Sequence, residues 1–375
     1  MKQAKGGSLQ RSAPASRASG SRTDGSCSGG SGLARERRHP ASPFAGKPAP
    51  TDPTPTDPTL AGALRHWARW LAALLVLAAV VSGARAQEAL PLADGVHVFI
   101  GDTGEPSPAN RGRVGNIGFV VGDTGTVMIN AGASYRHGRA LLAAADALGG
   151  KPVVLVVITQ PVQEFVMGTA AFADQGIPVL AHRASAELIT ARCENCLHNL
   201  RQVLGEDEMA GSRVQPPDRQ IEATTTIDAG GRRLALIHPG WASSPGDLVV
   251  RDLQSGVVFA GTLVSVGRVP ELRDGDPAGW RDALVDLQAL ARAQGERIVP
   301  GYGPPVSADA LEAVRDYLAD TEARVRSLFE AGAPLSAIVQ AAHLPRYADW
   351  AMYEPVHGRN VQQRYLALER ATLAE

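Results

Sequence analysis

The stretch Pro152-Val153-Val154-Leu155-Val156-Val157-Ile158, followed by Thr159-Gln160-Pro161-Val162-Gln163-Glu164-Phe165, decides how this chain folds. Its first part is an unbroken apolar run, mostly β-branched. A strand built from it is apolar on both faces and belongs in the middle of a covered sheet. The second part breaks that run with a proline and polar residues. It therefore reads as the loop leaving the strand's C-terminal end, where open α/β sheets place their binding groups.

The flanking sequence extends this scheme in both directions. Val96–Ile100, Ile117–Val121 and Thr126–Asn130 read as strands, with a break at Gly122-Asp123. A helical pattern over Arg139–Leu148 leads into the central run. After the 159–168 loop come a helix, the strand Val179-Leu180 and a helix over Ala184–Arg192. The second half repeats the order with strands at Arg233–Ile237, Asp247–Arg251 and Gly256–Ala260. A helix from about Pro277 to Ala293 then carries Trp280, Leu284, Leu287 and Ala291 on one face. Ile298-Val299 reads as another buried strand. The helix after Ser307, an expected N-cap, buries Leu311, Val314, Leu318, Val325 and Leu328. Strands first and a helix last in each half predict an α/β (α+β) molecule with two sheet layers faced by helices.

With 375 residues there is room for roughly two domains at about 150 residues each. The formal net charge of -1 excludes a general electrostatic pull toward nucleic acid. That total conceals an asymmetry. Residues 1–86 hold 12 Lys/Arg against 4 Asp/Glu, whereas the remainder holds 25 against 34, with Lys151 its only lysine. Residues 1–60 are rich in Ser, Gly, Ala, Pro and Thr, which is the composition of a disordered tail or of sequence upstream of the true start. The second reading is preferred, because signal peptides begin near the first residue. Residues 61–86 have the parts of a signal peptide: Arg65, His66 and Arg69, the apolar run Trp70–Val81, and Ala84-Arg85-Ala86 before Gln87. The run is shorter than the ~20 residues of a bilayer span, so an uncleaved signal segment is the only route to a membrane. The expectation is a periplasmic or secreted protein with its main domain over 87–310. A C-terminal helical extension over 311–375 packs on that domain.

Cys193-Glu194-Asn195-Cys196 is a C-x-x-C pair with three readings. Half of a zinc site lacks its second half, with only His198 nearby. A redox pair belongs at a strand-to-helix turn, whereas this one is placed after the 184–192 helix. In an exported protein a structural disulfide is the preferred reading.

Four loops follow the predicted strands: Thr159–Phe165, Gly240-Trp241-Ala242-Ser243-Ser244-Pro245-Gly246-Asp247, Phe259-Ala260-Gly261-Thr262-Leu263-Val264 and Pro300-Gly301-Tyr302-Gly303-Pro304-Pro305. Their order, spacing and flanks resemble the metallo-β-lactamase superfamily over most of residues 90–310. Within it, the chain is most similar to periplasmic quinoprotein relay system zinc metallohydrolases. The Arg192-Cys193-x-x-Cys196-Leu197 segment and the tail from Trp350 to His357-Gly358-Arg359-Asn360 add to that likeness. The resemblance implies a four-layer αβ/βα sandwich with its site where the loops of the two halves meet. It also implies a zinc-dependent hydrolase whose first loop reads Thr-His-x-His-x-Asp-His. Carried onto this chain, the three His positions are Gln160, Val162 and Phe165, and the Asp position is Glu164. The next His falls at Ser243, the bridging Asp at Thr262, the last His at Tyr302 and a supporting Asp at Asn130.

Zinc takes about four N, S or carboxylate ligands, and Ca²⁺ needs more carboxylate than Glu164 alone supplies. No cofactor is therefore expected, weakly held zinc being the alternative. The expected function is a non-catalytic binding or accessory protein, with a small molecule or periplasmic protein as partner. Gln160, Glu164, Trp241, Ser243, Thr262 and Tyr302 would line its pocket. The alternative is a residual hydrolase of an ester, thioester or lactone. It would draw on Glu164 with Tyr302 as an acid/base pair, or on Ser243 or Ser244 with Glu164 or His238 as base. His97, His137, His182, His343 and His357 read as hydrogen-bonded packing residues.

Overall fold

A computed structural model describes residues 89–295 and 297–374. The tail and signal segment read over 1–86, including Cys27, lie outside the described residues. Among the described residues, no helix is long and apolar enough to cross a membrane.

Among the described residues, twelve strands form two sheets. The first is seven-stranded in sequential order: β1 (Leu90–Ala93), β2 (Val96–Phe99), β3 (Ile117–Val121), β4 (Thr126–Ile129), β5 (Val153–Val157), β6 (Val179–His182) and β7 (Arg219–Ile221). β1 to β4 pair antiparallel and β4 to β7 parallel. The parallel crossovers require helices. α1 (Tyr135–Gly149) joins β4 to β5, α2 (Gln163–Val166) and α3 (Thr169–Ala173) lead to β6, and α4 (Arg183–Leu204) with α5 (Glu206–Met209) leads to β7. The second sheet is five-stranded in the order β12-β11-β10-β9-β8, from β8 (Thr225–Ala229), β9 (Arg232–Ile237), β10 (Val249–Asp252), β11 (Val258–Ser265) and β12 (Ile298–Tyr302). α6 (Pro277–Gln294) makes the parallel β11-to-β12 crossover. α7 (Leu311–Glu330), α8 (Leu335–Ala341) and α9 (Gly358–Ala374) follow.

The layers follow from which side chains are apolar. Val98, Val120, Val127, Leu155 and Val157 of the first sheet face Leu234, Leu236, Val250, Phe259 and Val299 of the second in one buried cluster. The opposite face of the first sheet, through Phe119, Met128 and Val156, packs on Leu141, Ile189, Cys193 and Leu197 of the helices. The outer face of the second sheet packs on Trp280, Leu284, Leu287, Leu311 and Val314. Helix, sheet, sheet and helix are thus stacked as predicted. Tyr347, Tyr353 and Val356 of the C-terminal segment belong to that same outer cluster.

Two local readings are corrected. The helix expected to stop at Arg192 continues to Leu204, so the cysteine pair lies inside α4 instead of after it. Ile189, Cys193, Leu197, Leu200 and Leu204 form its buried stripe, and Cys193 belongs to that stripe as an apolar residue. Ser307 makes no side-chain cap and precedes a single 3₁₀ turn, Ala308–Ala310, with α7 starting afterwards.

Candidate functional site

The C-terminal ends of β4, β5, β11 and β12 converge at one edge of the sandwich, and their loops bring the predicted residues together. Asn130 follows β4 in the left-handed region at φ 67°, a conformation that Asn tolerates better than most residues. Its Oδ1 accepts from Thr159 N at 3.0 Å and Thr159 Oγ1 at 2.9 Å, which fixes where the β5 loop departs. Gln160 is fully buried, and its Oε1 accepts from Thr262 N at 3.0 Å. Gly261 permits that approach. A Cβ there would sit 2.0 Å from Gln160 Oε1, on a backbone with φ +54°.

Around this bond lies a ring of hydroxyls. Ser243 Oγ is 2.9 Å from Thr262 Oγ1 and donates to Asp247 Oδ1 at 2.8 Å. Ser244 donates from Oγ to Asp247 Oδ1 and from its backbone N to Asp247 Oδ2. Asp247 is wholly buried. Burial pushes its carboxyl up to about 6, against the pull of the four hydrogen bonds from Ser243 and Ser244.

The third group is Glu164 with Tyr302. The Tyr302 hydroxyl donates to Glu164 Oε1 at 2.6 Å, both side chains being buried. Burial first, and then the Glu164 charge, hold the phenol well above its ordinary range, so Tyr302 stays protonated. Phe165 stacks on Tyr302 with ring centroids 6.0 Å apart. On the Tyr302 ring lies the guanidinium of Arg268, 4.1 Å from the centroid. That guanidinium is anchored by donating to the carbonyls of Thr103 and Gly104.

Gln160, Val162, Ser243, Thr262, Arg268 and Tyr302 line a cavity of about 50 Å³, enough for a few waters. Gln160 Nε2 is buried with no hydrogen-bond partner among the described residues. A wider groove of about 530 Å³ shares Val162, Arg268, Arg273 and Tyr302 with this cavity and adds Glu164 and Cys196. That volume lies within the range of small-molecule sites.

Several expectations change at this level. Trp241 stands apart from the cavity, largely exposed, with its indole N–H donating to the Asp274 carbonyl. Neither base proposed for Ser243 is turned to it: Glu164 accepts from Tyr302, while His238 Nδ1 bonds the Asp247 carbonyl at 2.9 Å and its ring stacks on His182. Ser243 turns instead to Asp247 and Thr262. Cys193 and Cys196 are free thiols with their sulfurs 3.4 Å apart, so the expected disulfide is not formed. The bland reading holds for the other buried histidines. His182 caps α4, His137 accepts from Ala133 N, and His357 bonds Tyr317 and the Ala342 carbonyl. Arg268 was missed as a functional element, and nothing in its local sequence marks it; Asp247 stood in the Gly240–Asp247 loop that carries the resemblance, but its role as a hydrogen-bond hub was not read from it.

The chemistry of the cluster does not fit zinc. Among the described residues, no three His, Cys, Asp or Glu side chains converge in a manner that could hold a metal ion. At the cavity the carried-over positions offer an amide, hydroxyls and a phenol, and the two lining carboxylates, Glu271 and Asp274, are paired with Arg273, Arg359 and Arg192. Glu164 is engaged by Tyr302, and Asp247 is buried behind two serines.

Comparison with known proteins places this arrangement. The structure is similar to a metallo-beta-lactamase from Pontibacter korlensis, with a TM-score of 0.51 and 22% identity, over 62% of this chain and 98% of that one. A metallo-beta-lactamase from Hirschia baltica aligns at 17% identity and a TM-score of 0.49, over 62% and 97%. Likeness at such identity speaks to the fold alone. No curated protein matches the sequence. The family profile of the metallo-beta-lactamase superfamily matches residues 110–302, just over half of the 375 residues. On that match, and with the four layers in place, the chain belongs to the metallo-beta-lactamase superfamily.

Proposed function

We propose that this is an exported, non-catalytic binding or accessory protein that keeps the superfamily's fold around a degenerate metal site. Its resemblance to periplasmic quinoprotein relay system proteins supports a role beside alcohol-oxidising enzymes of the periplasm. The signal-like segment over 61–86 supports the export. One observation carries the binding role. Gln160 Nε2 is a buried donor without a partner among the described residues, in a cavity edged by Ser243 and Thr262 that shares its lining with the larger groove. A buried donor left unpaired costs about 1–3 kcal/mol, and a ligand bearing a carbonyl or carboxylate oxygen would satisfy it. Substitution of the ligand positions at Gln160, Val162, Phe165, Ser243, Thr262 and Tyr302 is consistent with loss of the metal.

A second reading, a residual hydrolase, is favoured by the 2.6 Å contact of Tyr302 with Glu164. There Glu164 would take a proton from the attacking water while the phenol gives its own proton to the leaving group. Elemental analysis and turnover separate the two. The binding role predicts far less than one zinc per chain and no hydrolysis of thioester, lactone or β-lactam, with or without added zinc. Stoichiometric zinc overturns it. Turnover abolished by both Glu164→Ala and Tyr302→Phe would establish the hydrolase.

A further inference from the structure

The groove beside the site is lined by one thiol of a pair that neither reading uses. Cys193 and Cys196 lie three residues apart on α4 and so share a helix face. Cys193 is 1% exposed and packs in the core beneath the first sheet, whereas Cys196 is half-buried. Cys196 lines the large groove with Glu164 and Tyr302, and a neighbouring one with Gln163 and Asn195. Arg273 borders both. The two sulfurs are 3.4 Å apart, and Cys196 Sγ is 3.7 Å from the Arg192 carbonyl oxygen. Residues i and i+3 of a helix have Cα atoms roughly 5 Å apart, within the span a disulfide bridges. Closing the pair therefore needs side-chain rotation and not a break in α4.

We infer that Cys193 and Cys196 form a redox-active dithiol, in which groove-facing Cys196 attacks a low-molecular-weight disulfide and buried Cys193 resolves the adduct. The Cys196 thiolate attacks one sulfur of R–S–S–R, forming Cys196–S–S–R and expelling R–S⁻, which takes up the proton Cys196 released. Cys193 then gives up its proton and attacks the Cys196 sulfur, and the second R–S⁻ leaves with that proton. Two protein thiols are oxidised to one disulfide, and one small disulfide is reduced to two thiols. The surroundings favour this order. Contact with the Cys193 thiol, aided by the Arg273 charge, holds Cys196 down to about 7 despite burial. The same contact, together with burial, pushes Cys193 up.

The test uses the full chain carrying Cys27→Ser, incubated with oxidised glutathione and followed by intact mass spectrometry. The Cys193–Cys196 pair should lose two hydrogens, with reversal by excess reduced glutathione. Cys193→Ala should accumulate a glutathione adduct on Cys196. With Cys196→Ala, Cys193 should react at least about tenfold more slowly. Because Cys193 is a core residue, Arg273→Ala gives an independent readout, and it should shift Cys196 alkylation to higher pH. A pair that stays reduced overturns the inference, as does one found closed and resistant to reduced glutathione. Preferential adduct formation on Cys193, or an alkylation profile unmoved by Arg273→Ala, overturns the assigned roles.

Discussion

The Tyr302–Glu164 contact joins two residues 138 positions apart, each held by a different half of the molecule. Glu164 is 6% exposed. Removing the phenol oxygen takes a hydrogen bond from a buried carboxyl group. Tyr302→Phe should therefore cost about 1–3 kcal/mol in urea unfolding, whereas Glu164→Gln, which keeps an acceptor for the phenol, should cost less. Equal losses from the two substitutions would mean that the hydrogen bond is not what stabilises the pair. Sequence named both residues as a candidate pair but carries no distance between loops of different halves. Arg268 shows where such reading stops. Its guanidinium is placed by the carbonyls of Thr103 and Gly104, and a backbone acceptor leaves no residue signature. Trp241 errs the other way, since an aromatic in a site loop suggests a wall, yet its ring faces outward.

Between elements, one amide joins the two sheets. Asn116, just before β3, donates from Nδ2 to the Pro300 carbonyl at 2.9 Å and the Gly303 carbonyl at 2.7 Å, at the two ends of the β12 turn. Its Oδ1 accepts from Gly101 N at 3.1 Å. Asn116→Ala would leave three buried or half-buried backbone groups short of a partner, at a cost of about 2–4 kcal/mol, and Asn116→Asp should be no better because its carboxylate offers no donors to two carbonyls. Urea midpoints unchanged in both variants would rule out this link. The central strands were legible because β3, β4 and β5 are apolar enough to announce burial on both faces. β1, β7 and β8 were not, since edge strands are short and part polar, as in Arg219–Ile221. In α4, Cys193 and Cys196 looked like chemistry interrupting a helix, and that hid the apolar stripe from Ile189 to Leu204.

Across the whole molecule, two buried titratable groups pull stability in opposite directions with pH. Burial raises Asp247 from 3.8 to about 6. Its stabilisation is therefore complete below about pH 4 and is lost as pH rises through 6. Burial first, and then the charges of Arg113 and Arg111, lower His137 from 6.5 to about 3. The unfolded chain takes up that proton near pH 6.5 while the folded chain does not, so stability falls as pH drops from 6.5 toward 3. Between pH 4 and 6 each effect has a slope of about 1.4 kcal/mol per pH unit, and the two cancel. Asp102, held low chiefly by the Gly104 N–H, adds an acid loss common to every variant. Stability by urea unfolding at pH 4, 5, 6 and 7 separates the two groups. Asp247→Asn should destabilise progressively on acidification from 6 to 4, exposing the His137 effect. His137→Gln should instead gain stability relative to the parent over the same interval, because the Asp247 effect is then no longer offset by His137. Curves for both variants that run parallel to the parent would show that neither group titrates as its surroundings require.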